Sequence, residues 1–141
     1  MPGHAQAWGA ASTRYHFTED KVSHAECVEG CRLLRATPVC ITSDHEQTTV
    51  AALGSTIGAG DAWTGQYFYS SSANASWSAC VTGEPTNASF TLPWSPGQPN
   101  EESEHCVALW NEYNFQWRDV PCSIRLRCVC ERTSISGAAL A

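Results

Sequence analysis

Lysine is almost missing from this chain: Lys21 stands alone beside seven arginines. Charge of either sign is scarce as well, at 16% of residues, where an average globular domain has roughly a quarter. The net charge is −6 at pH 7. A nucleic-acid binder needs a basic face to displace counterions from phosphate, so that class of partner is set aside. Long apolar runs are also missing. The longest, about Cys106–Trp110, is far short of the roughly 18 residues that read as a bilayer span, so no direct membrane insertion is expected. The opening residues Met1 to Gly9 have no basic start and no apolar stretch of about 7–15 residues, so they do not read as a secretory leader. No nucleophile–base pair, phosphate loop or strong metal triad is visible, and an enzyme is not expected.

What is present points to a packed extracellular domain. The chain has 141 residues, one domain's worth, enough to bury about 68–70% of its unfolded surface. Apolar residues make up 43%, with six Trp and eight Cys. The cysteines are 27, 31, 40, 80, 106, 122, 128 and 130. Four disulfides are the expectation, and eight cysteines allow 105 connectivities. Zinc is the rival reading, but Cys27-x-x-x-Cys31 and Cys128-x-Cys130 lack the usual two-residue ligand spacing. Two sequons, Asn74-Ala75-Ser76 and Asn87-Ala88-Ser89, fit N-glycosylation and predict exposed loops at Asn74 and Asn87. The chain is therefore read as secreted, or as the extracellular part of a larger or membrane-anchored protein.

Residues 1–13 and 133–141 read as tails or linkers, and 14–132 as the domain. Tyr15-His16-Phe17 alternates like a short edge strand. Ser23-x-x-Glu26 and Ser43-x-x-Glu46 are capping boxes that open two helices. The first is expected to run to about Arg35, and the second to about Leu53 with Gly54 as its stop. Beyond residue 55 the aromatic clusters Trp63–Tyr69, Trp77–Val81, Cys106–Trp110, Phe115–Val120 and Arg125–Glu131 read as strands. Thr82 to His105 holds four prolines and reads as a long, functional loop. The class is α+β. Glu101 and Glu102 read as solvated charge, and Trp63, Trp94, Trp110 and Trp117 as core.

An ordered set of motifs in this chain resembles the C-type lectin-like domain. Trp63-Thr64-Gly65-Gln66 looks like the family's Trp-Ile-Gly-Leu strand, and Trp94-x-x-Gly97-Gln98-Pro99-Asn100 like its long-loop motif. Glu104-His105-Cys106-Val107, Trp117-Arg118-Asp119-Val120-Pro121-Cys122 and Cys128-Val129-Cys130-Glu131 resemble later strands. Cys31 stands ten residues before Ile41-x-Ser43-x-x-Glu46, as in the family. The resemblance covers roughly residues 15–131. It implies two helices, two small antiparallel sheets and a long loop, stapled by disulfides. It also implies the pairs Cys31–Cys130 and Cys106–Cys122. For the other four, Cys27–Cys40 is the expected bridge, which leaves Cys80 with Cys128.

The resemblance further implies a calcium site. Its ligands would be the amide oxygens of Gln98 and Asn100 and the carboxylates of Glu104 and Asp119, the same groups that would hold vicinal sugar hydroxyls. The implied partner is a glycan or glycoprotein, with a calcium-independent protein partner on the same fold as the alternative. Gln98-Pro99-Asn100 mixes the Glu-Pro-Asn form, which leans toward mannose-like sugars, with the Gln-Pro-Asp form, which leans toward galactose-like ones. Four positions depart from the pattern: Cys27 for a frequent Ala, Gln66 for Leu, Cys80 for Trp and Arg118 for Asn. Arg118 matters most, because a guanidinium has donors only and cannot ligate a cation. At 6 Å from Ca²⁺ it would cost about 5 kcal/mol at an effective dielectric of about 20. Arg118 must therefore either swing out or bridge Glu104 and Asp119 in place of the metal.

Overall fold

A computed structural model describes residues 14–70, 76–80, 92–98 and 106–132. Seven strands and two helices follow one another as β1 (Tyr15–Phe17), α1 (His24–Leu33), β2 (Thr37–Pro38), α2 (Asp44–Ile57), β3 (Ala62–Ser70), β4 (Ser76–Cys80), β5 (Cys106–Trp110), β6 (Gln116–Val120) and β7 (Arg127–Glu131). The expected tails, and with them Asn74 and Asn87, lie outside the described residues.

The capping residues start both helices, by different means. At α1, Ser23 Oγ accepts from Glu26 N and Glu26 Oε1 accepts from Ser23 N at 2.9 Å, the reciprocal pair the sequence predicts. At α2, Ser43 Oγ accepts from Glu46 N at 3.1 Å. The Glu46 carboxylate, however, turns away to Tyr15 and Thr42. The end of α2 differs from expectation. The helix runs through Gly54 and stops at Gly58, whose φ of 68° is the left-handed cap. Gly54 is instead a packing glycine. A Cβ there would sit 2.9 Å from Phe115 Cε1 and 3.1 Å from Phe17 Cζ, so only hydrogen fits where the rings close on the helix.

The strands run β1-β7-β3-β5-β6, with β2 also on β7 and β4 on β3. Two antiparallel groups are present, as expected, but they share β7. Its start lies parallel to β3, with Ala62 opposite Arg127 and Trp63 opposite Cys128. Its end pairs antiparallel with β1 and β2. β7 thus joins both groups into one mixed sheet. Two apolar cores flank it. One gathers Phe17, Val39, Ile41, Val50, Leu109, Phe115 and Trp117, and the other Trp63, Ala108 and Val120 with the cysteines of α1 and β7.

The cysteines are Cys27–Cys128, Cys31–Cys130, Cys40–Cys80 and Cys106–Cys122. The expected Cys27–Cys40 and Cys80–Cys128 bridges are corrected. Cys27 and Cys31 are one helical turn apart and both buried. Cys128 and Cys130 are two apart on one face of β7. Helix α1 lies on that face, so both helix cysteines meet both strand cysteines. Cys40 instead faces β4, because Gly65 N donates to Val39 O at 2.7 Å and Gln66 stands opposite Cys80.

Candidate functional site

Strand β6 sets the two key residues on opposite faces. Successive side chains of a strand alternate, and here Trp117 and Asp119 are buried while Gln116 and Arg118 are partly exposed. Asp119 is only 2% exposed. The Arg118 guanidinium carbon lies 4.3 Å from the centroid of the Trp110 ring. Its Nη1 is 4.0 Å from Asp61 Oδ2. The register explains this contact. Trp110 stands opposite Gln116, two residues from Arg118 and on the same face of the sheet. Asp61 is anchored in turn, its Oδ1 accepting from Asn111 N at 2.9 Å. The Arg118 ion pair is thus with Asp61, and the guanidinium lies on the face away from Asp119.

The long loop is sewn onto this strand at its described end. Trp117 N donates to Pro93 O at 2.8 Å, and Ser95 N and Ser95 Oγ both donate to Trp117 O, at 2.8 and 2.9 Å. The Trp94 and Trp117 rings meet edge to face, 5.7 Å between centroids. A turn at Gly97, φ 81°, carries the chain on to Gln98, whose N–H donates to Ser95 O at 3.0 Å. The Gln98 Oε1 atom is buried, and among the described residues it accepts no hydrogen bond. A buried acceptor left unsatisfied costs about 1–3 kcal/mol. The hydrogen bonds of Pro93 and Ser95 anchor the loop base that carries Gln98 to Trp117, two residues before Asp119 in β6. Asn100 and Glu104 lie outside the described residues.

The donors in view suit a hard cation. Calcium takes 6–8 oxygens from carboxylates, amides, backbone and water. Gln98 offers an amide oxygen that accepts no hydrogen bond among the described residues, and Asp119 a buried carboxylate. Both are donor types that calcium takes. Among the described residues, the cluster of metal-ligating types is Cys27, Cys31 and Cys128, whose sulfurs are committed to disulfides.

Sequence reasoning missed what holds Arg118. Trp110 is neither core nor sugar platform but the shelf for a guanidinium, and Asp61 lies 57 positions earlier in the chain. The only signal available was the two-residue offset of Trp110 and Arg118 across a pair of strands whose register was unknown. A cleft of about 540 Å³, lined by Glu19, Lys21, Gly60, Asp61, Leu126 and Arg127, shares only Asp61 with this arrangement.

A second polar centre, also unforeseen, joins Arg14, just before β1, to α2 and to the end of β7. Arg14 Nε donates to Glu131 Oε2 at 3.0 Å, and Arg14 Nη2 is 3.6 Å from Glu46 Oε2. Tyr15 Oη donates to Glu46 Oε2 at 2.7 Å and Cys40 N to Glu131 Oε1 at 3.0 Å. Burial pushes the Glu131 carboxyl above its ordinary range, and the neighbouring Glu46 charge adds to that, against the Cys40 amide and Arg14, which oppose it. Burial and the bond to Glu46 likewise push the Tyr15 phenol up. His24, packed edge-on against Trp63 at 5.2 Å, is pushed down by burial although it bonds Thr64 O.

Comparison with known proteins agrees with this geometry. The chain is 27% identical over 133 residues to salivary C-type lectin 2 of Aedes albopictus, covering 86% of this chain and 85% of that protein. It is 28% identical over 122 residues to CD209 antigen-like protein D of Mus musculus, covering 86% of this chain but 48% of that protein, so it spans about half the length of that relative. Among solved structures, the C-type lectin domain of murine dendritic cell inhibitory receptor 2 in complex with N-glycan is 27% identical. It superposes with a TM-score of 0.69 over 82% of this chain and 87% of that one. The calcium-independent type II antifreeze protein shares the fold, with a TM-score of 0.66 at 20% identity over 82% of each chain. The lectin C-type domain model matches residues 20–132, and the chain belongs to that family.

Proposed function

We propose that this domain is an extracellular glycan-binding module, not an enzyme. Its site is formed by Gln98, Asn100, Glu104 and Asp119 around one calcium ion. The observation that carries the reading is the division of β6: Asp119 is buried on one face, and Arg118 is held on the other by Trp110 and Asp61. A cationic side chain so placed is not a plug between the site's carboxylates. The orphaned Gln98 oxygen supports the same reading, as does the 27% identical relative solved with an N-glycan. When bound, calcium would supply direct coordination to two sugar hydroxyls. The protein residues would orient those hydroxyls, the amides donating to them and the carboxylates accepting from them.

The sharing of one oxygen set between ion and sugar makes binding chelator-sensitive. The test is retention of the oxidised domain on immobilised mannose-type and galactose-type glycans, with calcium and with chelator. Retention lost in chelator and in Asp119→Ala supports the reading. Retention unchanged by chelator would favour the second reading, a calcium-independent protein-interaction module. That reading has one specific observation behind it: Arg118 stands where the family supplies a further oxygen ligand.

A further inference from the structure

We propose that Cys27, Cys31, Cys128 and Cys130 are, in the reduced chain, a ready-made tetrathiolate site for one soft divalent cation such as zinc. Three of the sulfurs form one cluster, and the fourth, on Cys130, adjoins it through Cys31 and Cys128. Cys31 Sγ lies 3.3 Å from Cys128 Sγ across the two disulfides, and Cys128 Sγ 3.9 Å from Cys130 Sγ. The Cys27, Cys31 and Cys128 sulfurs all lie within 4.8 Å of one another. A tetrahedral zinc with bonds of about 2.3 Å holds its sulfurs about 3.8 Å apart. The cross-distances already bracket that value. Each bonded pair needs to separate by only about 1.7 Å once its S–S bond is broken.

The backbone supplies both chelating arms. A helix brings i and i+4 side chains together on one face, which is the Cys27/Cys31 relation. A strand brings i and i+2 together, which is the Cys128/Cys130 relation. These spacings fail the zinc-knuckle rule because that rule describes two ligands on one tight turn. Here a helix and a strand each contribute a pair, and packing of α1 on β7 assembles them. The cysteines are at most 1% exposed, and Trp63, Ala36, Ala108 and Val120 enclose them.

The chemistry balances with a dithiol reductant. Each disulfide takes two electrons and two protons from one dithiol, which becomes a disulfide, so two dithiols yield four thiols. Binding one Zn²⁺ then releases the four thiol protons and leaves a site of charge −2. Because the cluster is buried, this outcome belongs to a chain that folds while reduced. Oxidation closes two disulfides at the same place, and metal closes the same helix–strand contact without them.

The test is anaerobic refolding of the full reduced chain with cobalt(II) as the spectroscopic probe. The expected result is one cobalt per chain with the intense visible bands of tetrahedral thiolate coordination. Near-ultraviolet circular dichroism of the packed Trp63 should return, and zinc should displace the cobalt. The double variants Cys40→Ser/Cys80→Ser and Cys106→Ser/Cys122→Ser should keep the spectrum. Cys27→Ser/Cys31→Ser should weaken cobalt binding by about 100-fold or more. The proposal is overturned if that variant binds as tightly as wild type. It is equally overturned if wild type takes up no tetrahedral cobalt, or takes it up without recovering the tryptophan signal.

Discussion

The α1–β7 side and the β6–loop side of this molecule are held by different physics. On the first, two covalent bonds join a helix to a strand, 101 and 99 residues apart in sequence. On the second, three hydrogen bonds and one aromatic edge contact fix the loop base to Trp117. The stapled side has its sulfurs paired and its core closed. The loop side has, among the described residues, an amide oxygen at Gln98 that accepts no hydrogen bond, and a buried carboxylate at Asp119. The contrast shows where such a domain places its stability.

The strongest way to break that comparison is to remove the staples. In the chain-entropy model, opening a loop of about 100 residues costs about 4–5 kcal/mol. Cys27–Cys128 and Cys31–Cys130 close nearly the same loop, so either one alone retains most of this constraint. Cys31→Ala/Cys130→Ala is expected to lose about 1–2 kcal/mol, and removal of both bridges about 4–5 kcal/mol or the fold itself. Chemical denaturation of the two variants measures the non-additivity.

The next effects lie between the two sides. Gly54→Ala gains helix propensity of up to about 1 kcal/mol, but its methyl meets two aromatic rings, with overpacking worth about 1–3 kcal/mol. A net loss of about 1 kcal/mol is expected by thermal denaturation. Arg14→Ala leaves Glu46 and Glu131 facing each other without their shared cation. Because Arg14 is about half exposed, the expected loss is about 1–2 kcal/mol, below that of a fully buried pair. It should shrink in acid, where Glu131, its carboxyl raised by burial, takes up a proton.

The smallest effect is a pH dependence on the stapled side. His24 is held neutral by burial, its folded value below its unfolded one. The unfolded chain therefore binds the extra proton first. Stability is fully present above the unfolded value of about 6.5 and is lost as pH falls from there toward the folded value. The denaturation midpoint should drop on acidification through that window, and drop less in His24→Asn.

Much of this architecture is legible in the sequence because it rests on local rules. The capping serines, five strand clusters and the short Tyr15–Phe17 strand depend on neighbours along the chain. Gly54 and Gly58 show the limit. Gly54 reads as the helix stop, and only the distant rings of Phe17 and Phe115 decide that it is a packing residue and that the helix runs on to Gly58. The pairings of Cys27 and Cys40 fail for the same reason, since they depend on which face of α1 meets β7. The β2 strand is two residues long, too short for any pattern to appear. At the candidate site, Gln98 and Asp119 are proposed from motif order, and the structure adds only their burial. The support of Arg118 by Trp110 and Asp61 is not legible in the sequence, because a cross-strand diagonal requires the register.

The central claim is that Arg118 does not suppress the calcium site. Calorimetric calcium titration of wild type and Arg118→Ala tests it most directly, because alanine removes the cation without supplying a ligand. From the far face of β6, screened by water at about 10 Å, the guanidinium is worth about 1 kcal/mol. The account predicts that wild type binds calcium and that the variant gains less than about fivefold in affinity. A plug at about 6 Å would be worth about 5 kcal/mol. A gain of several thousandfold, or wild-type protein that binds no calcium at all, would contradict it.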